Sequence, residues 1–245
     1  MSIELKRDVE FASWQSYWRF SKTVRRERRY VWPSVVQEFL EAVRQTAKKR
    51  ELLIPKDMPF YRAQLGWKHD VEERDDGKLD GPRAYGPKRM KPTANHALDY
   101  RANTAGIPVL YLAMEIETAI AEVRPWIGSA VSVSQFRTKR ELRGLDLTPE
   151  FGKHWMPTFS ANDSRFMPVD ADGAEKAAWT NIDNAFSKPV SRSDDPADYV
   201  PTQILAELFR AEGYEAIIYR SQLGEQGQSC PIRNEPEEGA DFQRK

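Results

Sequence analysis

One segment constrains this chain more than any other. Gly106-Ile107-Pro108-Val109-Leu110-Tyr111-Leu112-Ala113 is an extended apolar run whose bulk and tyrosine favour a strand. A helix follows at once, because Ile116, Ala119, Ile120 and Val123 fall at i, i+3, i+4 and i+7, and Pro125 stops the pattern. Successive strand residues point to opposite faces, so Val109, Tyr111 and Ala113 share one face and Leu110 and Leu112 the other. The leucines are expected in the core. Tyr111 then offers its ring beside the small Ala113, leaving room for a flat ligand against the aromatic face. Glu122 lies at the flank of the helix's apolar stripe, from which it can point into a cleft between helix and sheet. Glu115 and Glu117 are equally available as surface charges, and a helix glutamate is most often solvated.

The rest of the chain supplies the other parts of an α+β fold. Met58-Pro59-Phe60-Tyr61-Arg62-Ala63 reads as a short strand carrying Arg62, Ala130 to Ser134 alternates as a half-buried strand does, and Leu142, Leu145 and Leu147 mark another. Ile204, Leu205, Leu208 and Phe209 define a helix that begins near Pro201 and is closed by Gly213. Ala216-Ile217-Ile218-Tyr219 then leads into Arg220-Ser221-Gln222, which puts Ser221 at the end of a strand, a common place for binding residues. Near the N-terminus, Val36, Phe39, Leu40 and Val43 form one amphipathic helix after Pro33. Residues 67 to 100, rich in Gly, Pro and charge, read as a long loop, and Pro149 to Asp195 shows no usable periodicity. The expected organisation is a helical extension over 1–55, a main domain over 56–230 and a polar tail over 231–245.

Composition removes several classes of function. Lys plus Arg and Asp plus Glu both number 37 among 245 residues, so no global field draws the chain to nucleic acid or lipid. No run approaches the ~20 apolar residues that span a bilayer, and the single Cys230 cannot form an internal disulfide. The expected location is the cytoplasm, with no membrane contact. His69, His96 and His154 lack metal-ligand spacing, and there is no phosphate loop, dinucleotide fingerprint or Gly-x-Ser-x-Gly elbow. A basic run of Lys22, Arg25, Arg26, Arg28 and Arg29, interleaved with Phe11, Trp14, Tyr17, Trp18, Phe20 and Trp32, could bind a nucleic-acid strand or a partner. Glu27 interrupts it, and aromatics in such a position more often dock onto the body of the protein. Residue reading nominates a site of Arg, Tyr, Glu and Ser without naming a reaction.

The order of four blocks resembles the RES domain family, named after an arginine, a glutamate and a serine. The blocks are Tyr61-Arg62-Ala63; Arg101-Ala102-Asn103 followed by Ala105 to Ala113; Glu117-Thr118-Ala119-Ile120-Ala121-Glu122-Val123; and Tyr199 through Thr202-Gln203 to Ile218-Tyr219-Arg220-Ser221. The resemblance implies an ADP-ribosyltransferase-like fold in which split β-sheets, flanked by helices, enclose an NAD cleft. It implies Arg101, Tyr111, Glu122 and Ser221 as catalytic positions, with Arg62 and Asn103 binding substrate and no metal. It further implies a toxin that cleaves the nicotinamide-ribose bond of NAD as a glycohydrolase or phosphorylase, or that transfers ADP-ribose to a protein. NAD is then the substrate, so no separate cofactor is expected. A small helix-turn-helix antitoxin is the implied partner, nucleic acid is reached only through that antitoxin, and an oligomer is compatible with all of this.

Overall fold

The computed structural model describes residues 10–74, 77–160, 165–166, 169–188, 195–222, 228–233 and 242–244. In chain order the elements are α1 (Ser16–Arg26), α2 (Ser34–Ala47), β1 (Glu51–Ile54), β2 (Pro59–Leu65), β3 (Lys68–Arg74), β4 (Gly77–Arg83), the short α3 (Pro87–Met90), β5 (Val109–Ala113), α4 (Ile116–Glu122), β6 (Val131–Thr138), β7 (Leu142–Asp146), β8 (Phe159–Ser160), β9 (Arg165–Phe166), α5 (Ala171–Ser187), α6 (Val200–Ala211), β10 (Ala216–Arg220), β11 (Gln228–Arg233) and β12 (Phe242–Arg244). The arrangement is α+β, as the sequence pattern leads one to expect. No helix among the described residues is long and apolar enough to cross a membrane.

The main sheet has eight strands in the order β1-β7-β10-β11-β5-β2-β6-β12. Its seam is the feature that matters for function. β11 pairs with β5 along the whole of β5, from Ser229↔Ala113 to Arg233↔Val109, and β2 pairs with β6 from Pro59↔Arg137 to Leu65↔Val131. Between these two halves, β5 and β2 are joined by one pair alone among the described residues, Tyr61↔Ala113. From that pair the strands part, and Arg62, Ala63, Tyr111 and Leu112 border the opening.

Each face of the sheet has its own core. On one side α1, α2, α5 and α6 bring Phe20, Phe39, Trp179 and Phe209 together over Leu145, Ile217 and Tyr219. On the other, Leu110 and Leu112 bury against Phe60, Met90, Phe136 and Ile218. The two leucines therefore take the core, while Tyr111 leans on the helical cluster from the opposite face. Val109 and Ala113 are buried as well, so β5 is covered on both sides.

Four elements depart from the sequence expectation. The span 67–100 is not a long loop: β3 and β4 pair from Lys68↔Arg83 to Arg74↔Gly77, and Met90 reaches full burial. A two-stranded ribbon satisfies its backbone hydrogen bonds locally, so it needs no apolar alternation to betray it. The silent stretch after Pro149 contains α5, whose N-cap Asp170 accepts from Gly173 N–H at 2.8 Å. Its buried face combines Ala174, Ala177, Ala178, Trp179, Ile182 and Phe186 with the polar Thr180, Asp183 and Ser187, which interrupt the apolar pattern. The segment read as an extension shares the main core, with Phe20 stacked on Phe39 at 4.5 Å, and β1 pairs with β7. The run read as a polar tail from residue 231 begins inside β11, which lies between β10 and β5.

Candidate active site

A cavity of about 470 Å³ opens where the sheet halves part. β2 contributes Tyr61, Arg62 and Ala63, β5 contributes Tyr111 and Ala113, α4 contributes Glu122, and the end of β10 contributes Tyr219 and Ser221. Arg101 enters from the turn ahead of β5, and Ser187 from the last residue of α5. Five of the residues singled out from sequence, Arg62, Arg101, Tyr111, Glu122 and Ser221, thus line one cavity. Asn103 does not.

Glu122 and Ser221 are brought together across 99 positions of sequence, and Ser221 Oγ donates to Glu122 Oε1 at 2.5 Å. α4 ends at Glu122 because the chain turns sharply there: Arg124 adopts a left-handed backbone, φ 47°, just before Pro125. Ser221 follows β10 directly and is 5% exposed, so the carboxylate is oriented by a hydroxyl held in a rigid strand end.

The turn that carries Arg101 is clamped from three directions. Tyr100 N–H donates to Asn103 O at 3.0 Å across the turn. The buried Gln203 of α6 donates through Nε2 to Asp99 Oδ1, Tyr100 O and Asn103 O, at 3.2, 3.0 and 3.0 Å. Asn103, expected to bind substrate, is 4% exposed; its amide donates to Leu98 O and Thr104 O, and its Oδ1 accepts from the Tyr111 hydroxyl at 2.9 Å. It is a positioning residue for the turn, and its chemistry is used up within the protein. The Tyr111 hydroxyl also accepts from Ala102 N–H at 3.0 Å, and burial holds this phenol well above its ordinary pKa. With the hydroxyl engaged on both sides, the ring is what Tyr111 offers a ligand.

The two guanidinium groups differ in how they are held. Arg101 Nη1 donates to Phe186 O at 2.5 Å; burial lowers its pKa, while Tyr219 and Glu122 pull it back up. Arg62 is pushed down to about 10 by burial and by the neighbouring Arg89, so it remains charged at neutral pH. Its buried Nη1 has no hydrogen-bond partner among the described residues, and neither does the Oγ of Ser187. Sequence reading missed Ser187, because α5 itself carried no periodic signal, and it assigned no role to Gln203 or Tyr219 although both stand in the quoted blocks.

Three of the five basic residues of the N-terminal cluster pair with the protein's own acids. Arg25 pairs with Asp198, Arg26 with Asp195 at 2.9 Å, and Lys22 with Glu27 at 3.3 Å. Trp14, Trp18 and Trp155 line a second hollow of about 610 Å³ between α1 and α5. Its Thr180, Asn181 and Asn184 side chains all donate to main-chain carbonyls, so they offer a ligand less than the groups around Glu122 do.

Comparison with known proteins bears on the same region. No curated protein matches the chain. Among solved structures, the toxin-antitoxin complex MbcT-MbcA of M. tuberculosis aligns at 14% identity with a TM-score of 0.42, covering 83% of this chain and 88% of that one. The family model of the RES domain matches residues 59–242, from the start of β2 into β12. With well over half of the sequence matched and the arginine, glutamate and serine meeting in one cavity, the chain belongs to the RES domain family.

Proposed function

We propose that this protein is a toxin-like enzyme that cleaves the nicotinamide-ribose bond of NAD, as a glycohydrolase or phosphorylase. The observation that carries the proposal is the Ser221–Glu122 hydrogen bond, which holds a carboxylate at a cavity lined also by two half-buried arginines and an aromatic ring. A cavity of about 470 Å³ is of the size that takes a ligand of this class. The diphosphate of NAD matches the cations of Arg62 and Arg101, and the nicotinamide ring matches the ring of Tyr111.

The reaction suits the groups present. When the C1′–N bond of the ribose breaks, its electron pair goes to the nicotinamide nitrogen and neutralises the ring's positive charge. Nicotinamide therefore leaves without a general acid. Positive charge builds on the sugar, as in other oxocarbenium-like transition states, and Glu122 stabilises it while orienting the ribose hydroxyls. An oxygen of water or phosphate then bonds to C1′ from the acceptor side and gives up its proton to solvent. The partner this reading calls for is a small helix-turn-helix antitoxin that covers the cleft and holds NAD depletion in check.

The test is direct. Purified protein mixed with NAD releases nicotinamide, and Glu122→Gln lowers that release by about a hundredfold or more without changing the melting temperature. Unchanged turnover in the variant overturns the assignment. Omitting phosphate separates phosphorolysis from hydrolysis, and radiolabel appearing on protein instead of free ADP-ribose marks transfer to a protein.

A further inference from the structure

We infer that Ser187 is a substrate-contacting residue that receives the carboxamide of the nicotinamide ring, an inference that rests on the NAD-cleaving reading above. Ser187 is 2% exposed, its Oγ has no partner among the described residues, and it lines the same cavity as Glu122 and Ser221. A buried hydroxyl left unpaired is costly, so one kept that way inside a cavity is matched to a group that the ligand brings.

Its place in the fold selects which group. The preceding carbonyl, Phe186 O, accepts from Arg101 Nη1, and Arg101 in turn is under the electrostatic influence of Glu122 and Tyr219. This succession places Ser187 next in the chain to the carbonyl that holds Arg101, in the wall of the cavity that Glu122 also lines. Ser187 is also the last residue of the 17-residue α5, and a helix C-terminus carries partial negative charge that disfavours phosphate and favours a cation. The nicotinamide ring is the cationic part of NAD. Its carboxamide both donates and accepts hydrogen bonds, as a serine hydroxyl does, whereas the ribose hydroxyls fall to Glu122. A carboxylate in the same place, as in the nicotinic acid analogue of NAD, meets the negative end of α5 instead.

Calorimetry in the Glu122→Gln background, where NAD stays intact, reads the contact without turnover. Ser187→Ala there weakens NAD binding by about five- to tenfold and leaves ADP-ribose, which lacks the carboxamide, binding as before. The melting temperature of the free protein stays the same or rises, because no internal hydrogen bond is lost. Equal NAD affinity with and without the serine hydroxyl overturns the inference, as does an equal loss for NAD and ADP-ribose. When the wild type releases nicotinamide and Ser187→Ala shows no NAD-selective loss, the inference alone falls. When the wild type neither binds nor cleaves NAD, the underlying reading falls with it.

Discussion

Gln203 and Asn103 do not line the cavity, yet they decide where Arg101 points. One amide group of Gln203 serves three acceptors on the 99–103 turn, and Asn103 ties that turn to the Tyr111 hydroxyl. Replacing Gln203 by Leu removes that shared donor and leaves Asp99 Oδ1, Tyr100 O and Asn103 O with only the N–H groups of Ala105, Asn103 and Tyr100. The expected cost is about 1–3 kcal/mol in a urea titration, together with a fall in nicotinamide release as Arg101 loses its fixed position. Unaltered stability and turnover in Gln203→Leu would remove the clamp from the account. The Thr202-Gln203 pair stands in a matching sequence block, but its contribution is visible only once α6 lies beside the turn.

At the scale of elements, α1 and α2 behave as part of the body of the protein. Phe20 is 1% exposed and stacks on Phe39 within the cluster that also contains Trp179 and Phe209. Phe20→Ala is expected to lower global stability by about 3–5 kcal/mol in a single cooperative transition. A separate early transition for the N-terminal helices would contradict a shared core. The β2–β3 connection supplies a second case. Gly66 has φ 98°, donates its N–H to Ala130 O at 2.8 Å, and a Cβ placed there would collide with the Tyr85 hydroxyl. Gly66→Ala therefore combines a disfavoured backbone with a clash, and thermal melting should register a loss of at least about 1 kcal/mol. An unchanged melting point would mean that Tyr85 moves aside without cost.

For the whole molecule, the buried Asp183–Arg50 pair makes stability depend on pH. Asp183 is fully buried on α5, pairs with Arg50 at 3.0 Å, and accepts from Glu150 N–H at 3.0 Å. Burial raises its pKa from 3.8 to about 6, against the opposing pull of Arg50. The folded protein thus binds this proton more tightly than the unfolded chain does. The stabilisation is complete below about pH 4 and is lost as pH rises through about 6. Between pH 4 and 7 the stability of the wild type relative to Asp183→Asn should fall by up to about 3 kcal/mol, measured by denaturation across that range. A difference that does not vary with pH would show that burial does not govern this carboxyl.

The strand at Val109–Ala113, the helix that follows it and the strand ahead of Ser221 were legible from the chain alone. Their periodicity reports which side of each element is buried, and that information is local. Arg62, Arg101, Tyr111, Glu122 and Ser221 could be named because they stand in ordered blocks of text. Their convergence is a different matter. It depends on a sheet that parts after one Tyr61↔Ala113 pair, on a hydrogen bond spanning 99 residues, and on the polar β11 closing the gap between β10 and β5. Such register and long-range pairing are set by packing between elements, which no local pattern encodes. Asn103 was read as a ligand contact and lies outside the cavity, tied to the Tyr111 hydroxyl, while Ser187 went unseen because polar Thr180 and Asp183 interrupt the buried face of α5.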